Sequence, residues 1–194
     1  MTDRLVHLIY RGVEAVLCMF PLRIVHGLGE TIGRIAWWVA PAYRRIATRN
    51  LCIAFGGELS RDELRNLSRA HFRTLCGNFL ASAKIADLSR EEIRAAVTIE
   101  GIEGVHRLFD GERGSIFVIS HLGNWELIAQ IFPLLTDRPL GTVYQRLSNP
   151  HMDAELRSKR SRLGLQTFER KQGFQAAMKM LREGGGVGVL MDQH

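Results

Sequence analysis

The sequence contains few cysteines, and their number and spacing argue against two common cysteine-built structures. Cys18, Cys52 and Cys76 are the three cysteines among 194 residues, and no C-x-x-C pair occurs. An odd number without such spacing is typical neither of a disulfide framework nor of a zinc site, and it favours a reducing compartment. We therefore expect the three cysteines to be small core residues.

The sequence also lacks a long uninterrupted apolar run. Its most apolar stretch, residues 5–22, is interrupted by three polar or charged side chains, at His7, Arg11 and Glu14. Two charges near the middle of a helix are costly in hydrocarbon, so the stretch is a poor spanning helix. No small-residue cleavage site follows it, so it is also a poor signal peptide.

The next segment is typical of a helix that lies at a membrane surface. Apolar residues recur at helical intervals over residues 24–39, and the segment ends with Trp37-Trp38 and then Arg44-Arg45. Tryptophan and arginine are both favoured at the headgroup boundary. We expect residues 1–86 to be helical and to associate with a membrane, peripherally or through a single short anchor. The alternative is that these helices merely cap the core.

Acidic residues are in the minority, with 20 Asp and Glu against 26 Lys and Arg. Basic residues exceed acidic ones by 12 to 6 in residues 1–86 and by 9 to 3 in residues 144–182, whereas acidic residues lead by 9 to 5 in residues 87–143. Two basic zones favour an anionic partner, such as a membrane surface, an acidic protein or a phosphorylated substrate. Nucleic acid is not expected, because no binding motif or interleaved aromatic platform accompanies the charge.

From residue 97 onward, short apolar runs alternate with helical segments. The runs are Val97–Ile99, Ile116–Ser120, Gly141–Tyr144, Leu165–Phe168 and Val187–Met191. Such alternation predicts βαβ units and a mostly parallel sheet. The predicted fold class is α/β, with a helical membrane-associating region at residues 1–86 and an α/β core at residues 87–194, in one continuous domain.

His121 directly follows one of these runs in the segment ISHLGNWEL. The carboxyl end of a strand is where chemistry gathers in open α/β sheets. Gly123 permits a sharp turn, and Asn124 would cap a helix that carries Glu126 in its first turn. Glu126 can then hydrogen-bond to His121 and leave the other ring nitrogen as a general base. No nucleophile accompanies the pair, so the substrate would supply the hydroxyl.

Two more charged residues are candidates for the same sheet edge. Asp192 directly follows the run at residues 187–191. A carboxylate at that place can act as an orienting hydrogen-bond acceptor, as a ligand or as a helix cap. Arg160 lies about 50° from the centre of the buried stripe of a helix that begins at Asn149-Pro150. A partly inward arginine needs an anion, which either catalysis or an internal salt bridge supplies. We predict that Arg160 contacts Glu126 or Asp192, or holds a substrate phosphate.

These segments carry a family resemblance. SHLGNWEL, VYQRLSNPHMD, GGGVGVLMDQ and the earlier RNLCIAF resemble the bacterial lipid A biosynthesis acyltransferases of the lauroyl/myristoyl type. That family belongs to the lysophospholipid acyltransferase superfamily, which is marked by H-x-x-x-x-D/E, and the resemblance extends from about Leu22 to His194. It implies an O-acyltransferase that moves a fatty acyl chain from acyl carrier protein to a hydroxyl of an anionic lipid A precursor. The implied location is the cytoplasmic face of the bacterial inner membrane, with no metal or organic cofactor.

The resemblance also implies roles for individual residues. His121 and Glu126 would form the catalytic dyad, with His121 removing the proton of the acceptor hydroxyl. Four residues match further positions of the site on the substrate side: Arg160, Asp192, Asn149 and Tyr144. One departure concerns the Y-R-P of the family, which reads Tyr144-Gln145-Arg146 here.

Family members continue well beyond the Asp-Gln step at residues 192–193, whereas this sequence stops at His194. The resemblance therefore implies an α/β core that is truncated at its C-terminus, with exposed apolar surface at the sheet. We expect low activity from this chain alone. The alternative function is that of a catalytically weak or inactive homologue acting as a scaffold at the membrane surface.

Overall fold

The structure is a computed structural model that describes residues 2–111 and 113–192. The described residues form nine α-helices and four β-strands. The helices are α1 (Thr2–Cys18), α2 (Leu22–Val39), α3 (Pro41–Phe55), α4 (Arg61–Ile85), α5 (Arg90–Ala96), α6 (Ile102–Leu108), α7 (Trp125–Ile131), α8 (Pro150–Ser161) and α9 (Phe174–Arg182). The strands are β1 (Ser115–Ile119), β2 (Leu140–Tyr144), β3 (Gln166–Glu169) and β4 (Gly186–Leu190).

The chain divides into two compact units. The first consists of residues 1–16 together with residues 85–194, and it contains the sheet. The second consists of residues 17–84 and is helical. The predicted boundary after residue 86 remains a prediction.

The four strands form one parallel sheet in the order β1-β4-β2-β3. Consecutive parallel strands require crossovers, and the helices between them supply these. The predicted α/β class is therefore confirmed. Val97–Ile99, which was expected to be a strand, is not part of the sheet. These three residues follow α5 directly and connect it to α6, so their apolar character marks a connector.

Successive residues of a strand face opposite sides of the sheet, and each side has its own core cluster. One cluster is formed by Phe109, Phe132, Leu140 and Leu165, against which Phe117 of β1 packs. The other is formed by Phe168, Ala177, Met180 and Val187. On the edge strand β1, Ile116 and Val118 face away from the first cluster, and their side chains are 63% and 73% exposed.

Helix α1 carries its polar side chains on the side that contacts α8. Glu14 is buried, accepts hydrogen bonds from the hydroxyl of Tyr10 and from Nη1 of Arg11 at 2.8 Å each, and pairs with Lys159 of α8. Arg11 also donates to Glu155 at 2.7 Å. Arg11 and Glu14, the charges that interrupt the apolar run of α1, are thus ion-paired within the protein. The remaining side chains of α1 leave an exposed apolar surface, formed by Leu5, Leu8, Ile9, Val13 and Val16.

Helix α2 packs closely against α4 in the helical unit. A Cβ atom on Gly29 would lie 2.5 Å from the carbonyl oxygen of Cys76, and one on Gly33 would lie 2.3 Å from that of Phe72, so both positions need glycine. The opposite side of α2 is apolar and exposed at Ile24, Leu28, Ile32, Ile35, Trp38 and Val39. Among the described helices, none is both long enough and apolar enough to cross a membrane.

None of the three cysteines forms a disulfide bond in the part of the chain that the structure describes. Cys18 and Cys76 are half-buried, but Cys52 is exposed, so the expectation that all three are core residues is wrong for Cys52. Helix α3 contains no buried residue, and Cys52 lies near its end.

Candidate active site

The sheet register brings His121 and Asp192 together. Strands β1 and β4 are parallel neighbours in which Ile119 is paired with Leu190. His121 and Asp192 each follow their strand end by two residues, so both lie at the carboxyl edge of the sheet. The prediction that the two residues share this edge is confirmed.

The Asp192 carboxylate holds His121 by two hydrogen bonds. The backbone N–H of His121 donates to Oδ2 at 2.7 Å, and Nδ1 of the ring lies 2.7 Å from Oδ1. An ionised carboxylate only accepts, so we assign the proton of the neutral imidazole to Nδ1 and the lone pair to Nε2. The side-chain hydrogen bond first, and then the backbone hydrogen bond, lower the pKa of Asp192 below its usual value.

The ring of His121 is also fixed by Trp125. The two ring centroids are 5.3 Å apart and their planes meet at 68°, an edge-on contact. Within the described residues, Nε2 makes no hydrogen bond, and the histidine side chain is 23% exposed. His121 therefore has a fixed orientation and a ring nitrogen that is available as a base.

A tight turn connects His121 to helix α7. Gly123 has a φ of 67°, in the left-handed region that glycine adopts at little cost. The side-chain oxygen of Asn124 accepts from the backbone N–H of Leu127 at 3.0 Å and caps α7, which places Glu126 in the first turn. Both predictions about this turn are confirmed.

Glu126 pairs with Arg160 rather than with His121. Nε of Arg160 donates to Oε2 of Glu126 at 3.1 Å, and Nη2 of Arg160 bonds to Oε1, so the contact is bidentate. The two side chains are only 15% and 23% exposed. The predicted contact of Arg160 is confirmed, while the expected hydrogen bond between His121 and Glu126 is absent among the described residues. The first turn of α7 faces α8, and Asp192 occupies the place beside the imidazole.

Tyr144 and Asn149 have their polar groups engaged elsewhere in the same unit. Tyr144 is buried, and its hydroxyl donates to Oδ2 of Asp153 at 3.3 Å; burial and then the charge of Asp153 raise the pKa of Tyr144. Asn149 caps α8 by accepting from the backbone N–H groups of His151 and Met152 at 3.0 and 3.2 Å. The structure does not bring either residue into the hydrogen bonds of His121 or Glu126.

Sequence reasoning missed a second ion pair next to Arg160. Lys159 pairs with the buried Glu14 of α1, while Arg160 pairs with Glu126 of α7. The adjacent cations thus attach α8 to two other helices, α1 and α7. A signal was present, because a glutamate inside an apolar helix needs a buried partner.

The chemical capacity of the site follows from these contacts. A neutral imidazole with a free Nε2 can remove a proton from a hydroxyl, and its carboxylate partner stabilises the imidazolium that results. Arg160 has further N–H groups that can donate to an anionic oxygen. No group of three or more histidine, cysteine, aspartate or glutamate side chains is placed to hold a metal ion in the part of the chain that the structure describes.

The model of a family described as bacterial lipid A biosynthesis acyltransferase matches residues 1–194. No curated protein matched the chain at a significant level.

Proposed function

This chain belongs to the bacterial lipid A biosynthesis acyltransferase family, and we propose from that premise that it transfers a fatty acyl chain from acyl carrier protein to a hydroxyl of a lipid A precursor. The observation that carries the proposal is the pair of His121 and Asp192, whose hydrogen bonds of 2.7 Å leave Nε2 as the base. A base without a protein nucleophile suits a reaction in which the acceptor brings its own hydroxyl.

In the proposed reaction, Nε2 of His121 removes the proton of the acceptor hydroxyl. The oxygen then attacks the carbonyl carbon of the thioester, so a C–O bond forms and the C–S bond breaks. The imidazolium returns its proton to the departing thiolate of the carrier protein. Asp192 keeps the ring in one tautomer and stabilises the imidazolium throughout.

Glu126 and Arg160 act as a second pair in the proposed site. The carboxylate of Glu126 holds two nitrogens of the guanidinium. The remaining N–H groups of Arg160 donate to the oxygen that gains negative charge in the transition state, or to a phosphate of the acceptor. Glu126 thus serves catalysis by positioning Arg160. A His121–Glu126 dyad is the competing assignment, in which Glu126→Gln would lower kcat more than Asp192→Asn does.

Tyr144 and Asn149 have an indirect role in this proposal. Tyr144 holds Asp153, which also accepts from the backbone N–H of Leu147 at 2.9 Å, and Asn149 fixes the start of α8. Together they shape residues 145–149 on the acceptor side.

The acceptor and the charges indicate where the reaction takes place. A lipid A precursor is an amphiphile, and the exposed apolar surfaces of α1 and α2 support attachment to the cytoplasmic face of the bacterial inner membrane. The basic zones at residues 1–86 and 144–182 favour both the phosphates of the acceptor and the acidic surface of acyl carrier protein.

The test is acyl transfer by the purified chain in lipid–detergent micelles. Acyl carrier protein loaded with a fatty acyl group serves as donor, and a lipid A precursor with a free hydroxyl serves as acceptor. We expect mass spectrometry to show one added acyl chain for each carrier thiol released. His121→Ala should abolish this product, whereas His71→Ala, which removes an exposed histidine of α4, should not. Near-wild-type turnover by His121→Ala, or release of free fatty acid without acylated lipid, would contradict the proposal.

A further inference from the structure

Three arginines converge on one tryptophan in the helical unit. The guanidinium carbons of Arg69, Arg44 and Arg65 lie 4.5, 4.9 and 5.6 Å from the ring centroid of Trp37. Arg69 is also 5.8 Å from the ring of Trp38. The arginines come from two helices, α3 and α4, so the tertiary fold gathers them.

The tryptophan is a fixed platform for these cations. Trp37 is 3% exposed, and its indole N–H donates to the hydroxyl of the buried Ser68 at 3.3 Å. Nη1 of Arg44 donates to the backbone oxygen of Trp37 at 3.2 Å. Arg65 and Arg69 are four residues apart on α4 and therefore share one face. The guanidiniums are placed by these contacts and by the ring.

The described residues provide these three arginines with no paired carboxylate. Among the described residues, none of the three arginines lies within 4.0 Å of a carboxylate oxygen, whereas Arg73, one turn further along α4, pairs with Glu30 at 3.1 Å. Like charges held on one ring repel each other, and an anion between them would relieve that repulsion. Guanidiniums present several N–H donors in a geometry that matches phosphate.

The surroundings select the kind of anion. Trp38, Val39 and Tyr43 lie beside the cluster in sequence, and they are 64%, 72% and 70% exposed. Exposed aromatic and apolar side chains next to arginines suit the boundary between headgroups and hydrocarbon. A phosphate carried by a lipid would meet both the cations and the apolar side chains, but a free phosphate would meet only the cations.

We propose that Arg44, Arg65 and Arg69, arranged around Trp37, bind the phosphate of an anionic lipid headgroup. This site is formed entirely by residues 17–84 and uses none of the residues to which the acyl transfer is assigned. Its ligand is a lipid of the membrane and does not react. The site would make attachment depend on anionic lipid in addition to the apolar surfaces of the helices.

The test is vesicle flotation of the full chain, without donor or acceptor, so its outcome does not depend on the proposed transfer. The vesicles consist of phosphatidylcholine alone or of phosphatidylcholine mixed with phosphatidylglycerol. An arginine near an anionic surface contributes about fivefold in affinity. Two surface charges thus account for about thirtyfold, and we expect the double variant Arg65→Gln with Arg69→Gln to lose clearly more than this for the anionic vesicles, because it also removes the guanidinium hydrogen bonds to phosphate.

A matched control removes the same charge elsewhere on the same unit. Arg45 and Arg49 of α3 are exposed, and neither makes a cation–π contact with Trp37 among the described residues. The double variant Arg45→Gln with Arg49→Gln should lose much less affinity. Equal losses in the two double variants would show diffuse attraction by surface charge and would overturn the proposal.

Two further measurements test whether the guanidinium groups are needed, rather than positive charge alone, and whether the ligand is a lipid rather than free phosphate. Arg65→Lys with Arg69→Lys keeps the charge but removes the planar donors, so its binding to anionic vesicles should stay below that of the native chain. Native-like binding by this variant would overturn the site. Calorimetry with inorganic phosphate, in the absence of vesicles, should show no binding that depends on these arginines. Such binding, as tight as binding to vesicles, would overturn the assignment to a lipid.

Discussion

Asp192→Asn is a sensitive probe of the His121 site, because it replaces one oxygen by an NH₂ group of similar size. In the native chain each carboxylate oxygen accepts one N–H of His121, at 2.7 Å from the backbone nitrogen and 2.7 Å from Nδ1. Asparagine offers only one accepting oxygen. If that oxygen keeps the backbone N–H, the NH₂ group faces Nδ1, and the ring proton must move to Nε2. If the oxygen keeps Nδ1–H, two donors meet at the backbone.

The structure sets the size of the expected effect. A proton on Nε2 removes the base, and a rotated ring misplaces it. General-base catalysis is worth about 10²- to 10⁴-fold, so we expect Asp192→Asn to lower kcat by that amount. KM should change little, because the substitution removes no proposed contact with substrate. Glu126→Gln keeps one acceptor for Arg160, so its effect should be smaller. We expect kcat/KM to fall by about 10- to 100-fold, mainly because KM rises.

The assay is steady-state acyl transfer over a range of lipid acceptor concentrations, with loaded acyl carrier protein as donor, so that kcat and KM are both measured. Asp137→Asn serves as the matched control, since Asp137 is an exposed aspartate outside the proposed site. It should leave kcat unchanged. A larger fall of kcat in Glu126→Gln than in Asp192→Asn would refute the reasoning and assign the support of His121 to Glu126.

Three further predictions rest on the described contacts. Arg160→Ala should lower kcat/KM by about 10- to 100-fold. Arg157→Ala, which removes an exposed arginine of the same helix, should leave kcat/KM unchanged. An equal effect of both, or a fall in melting temperature that parallels the loss of activity, would contradict a catalytic role of Arg160. The hydrogen bonds from His121 lower the pKa of Asp192. The stability that this contact contributes should therefore be complete above the ordinary aspartate pKa of about 3.9, and it should be lost only as the pH falls through the lower pKa of the folded state. A carboxyl NMR titration with its midpoint at or above the ordinary value would contradict this. Glu14→Ala should cost about 3 kcal/mol in the free energy of unfolding, since it removes the buried carboxylate of this pair and leaves Lys159 only the longer contacts to Glu155 at 3.8 Å and Asp87 at 3.9 Å. Glu183→Ala, in an exposed pair, should cost about 1 kcal/mol or less. Chemical denaturation measures both, and equal costs would refute the assignment.

The elements that could be predicted from the sequence are those determined by apolar periodicity, helix capping and helical spacing. Four apolar runs became strands within one residue of their expected ends, and Asn149 with Pro150 begins α8 as expected. The inward position of Arg160 was also predictable, because helical spacing alone places it near the buried stripe. Each of these features depends on residues close together in the chain.

The partner of His121 depends on strand order, which local patterns do not contain. Asp192 lies 71 residues from His121 in sequence and reaches it because β4 is inserted between β1 and β2. Local reasoning favoured Glu126, which is only five residues away. Strand order also explains the wrong prediction for Val97–Ile99. Their composition suits a strand, but the sheet order β1-β4-β2-β3 does not include them.

Glu14 shows how tertiary structure changes the meaning of a charge. In the sequence, Arg11 and Glu14 count against a membrane-spanning helix. In the structure they attach α1 to α8, through Lys159 and Glu155, and leave the apolar side chains of α1 exposed. Lys159 is adjacent to Arg160, so the helix that presents an apolar surface is ion-paired to the same helix that carries the arginine of the proposed site.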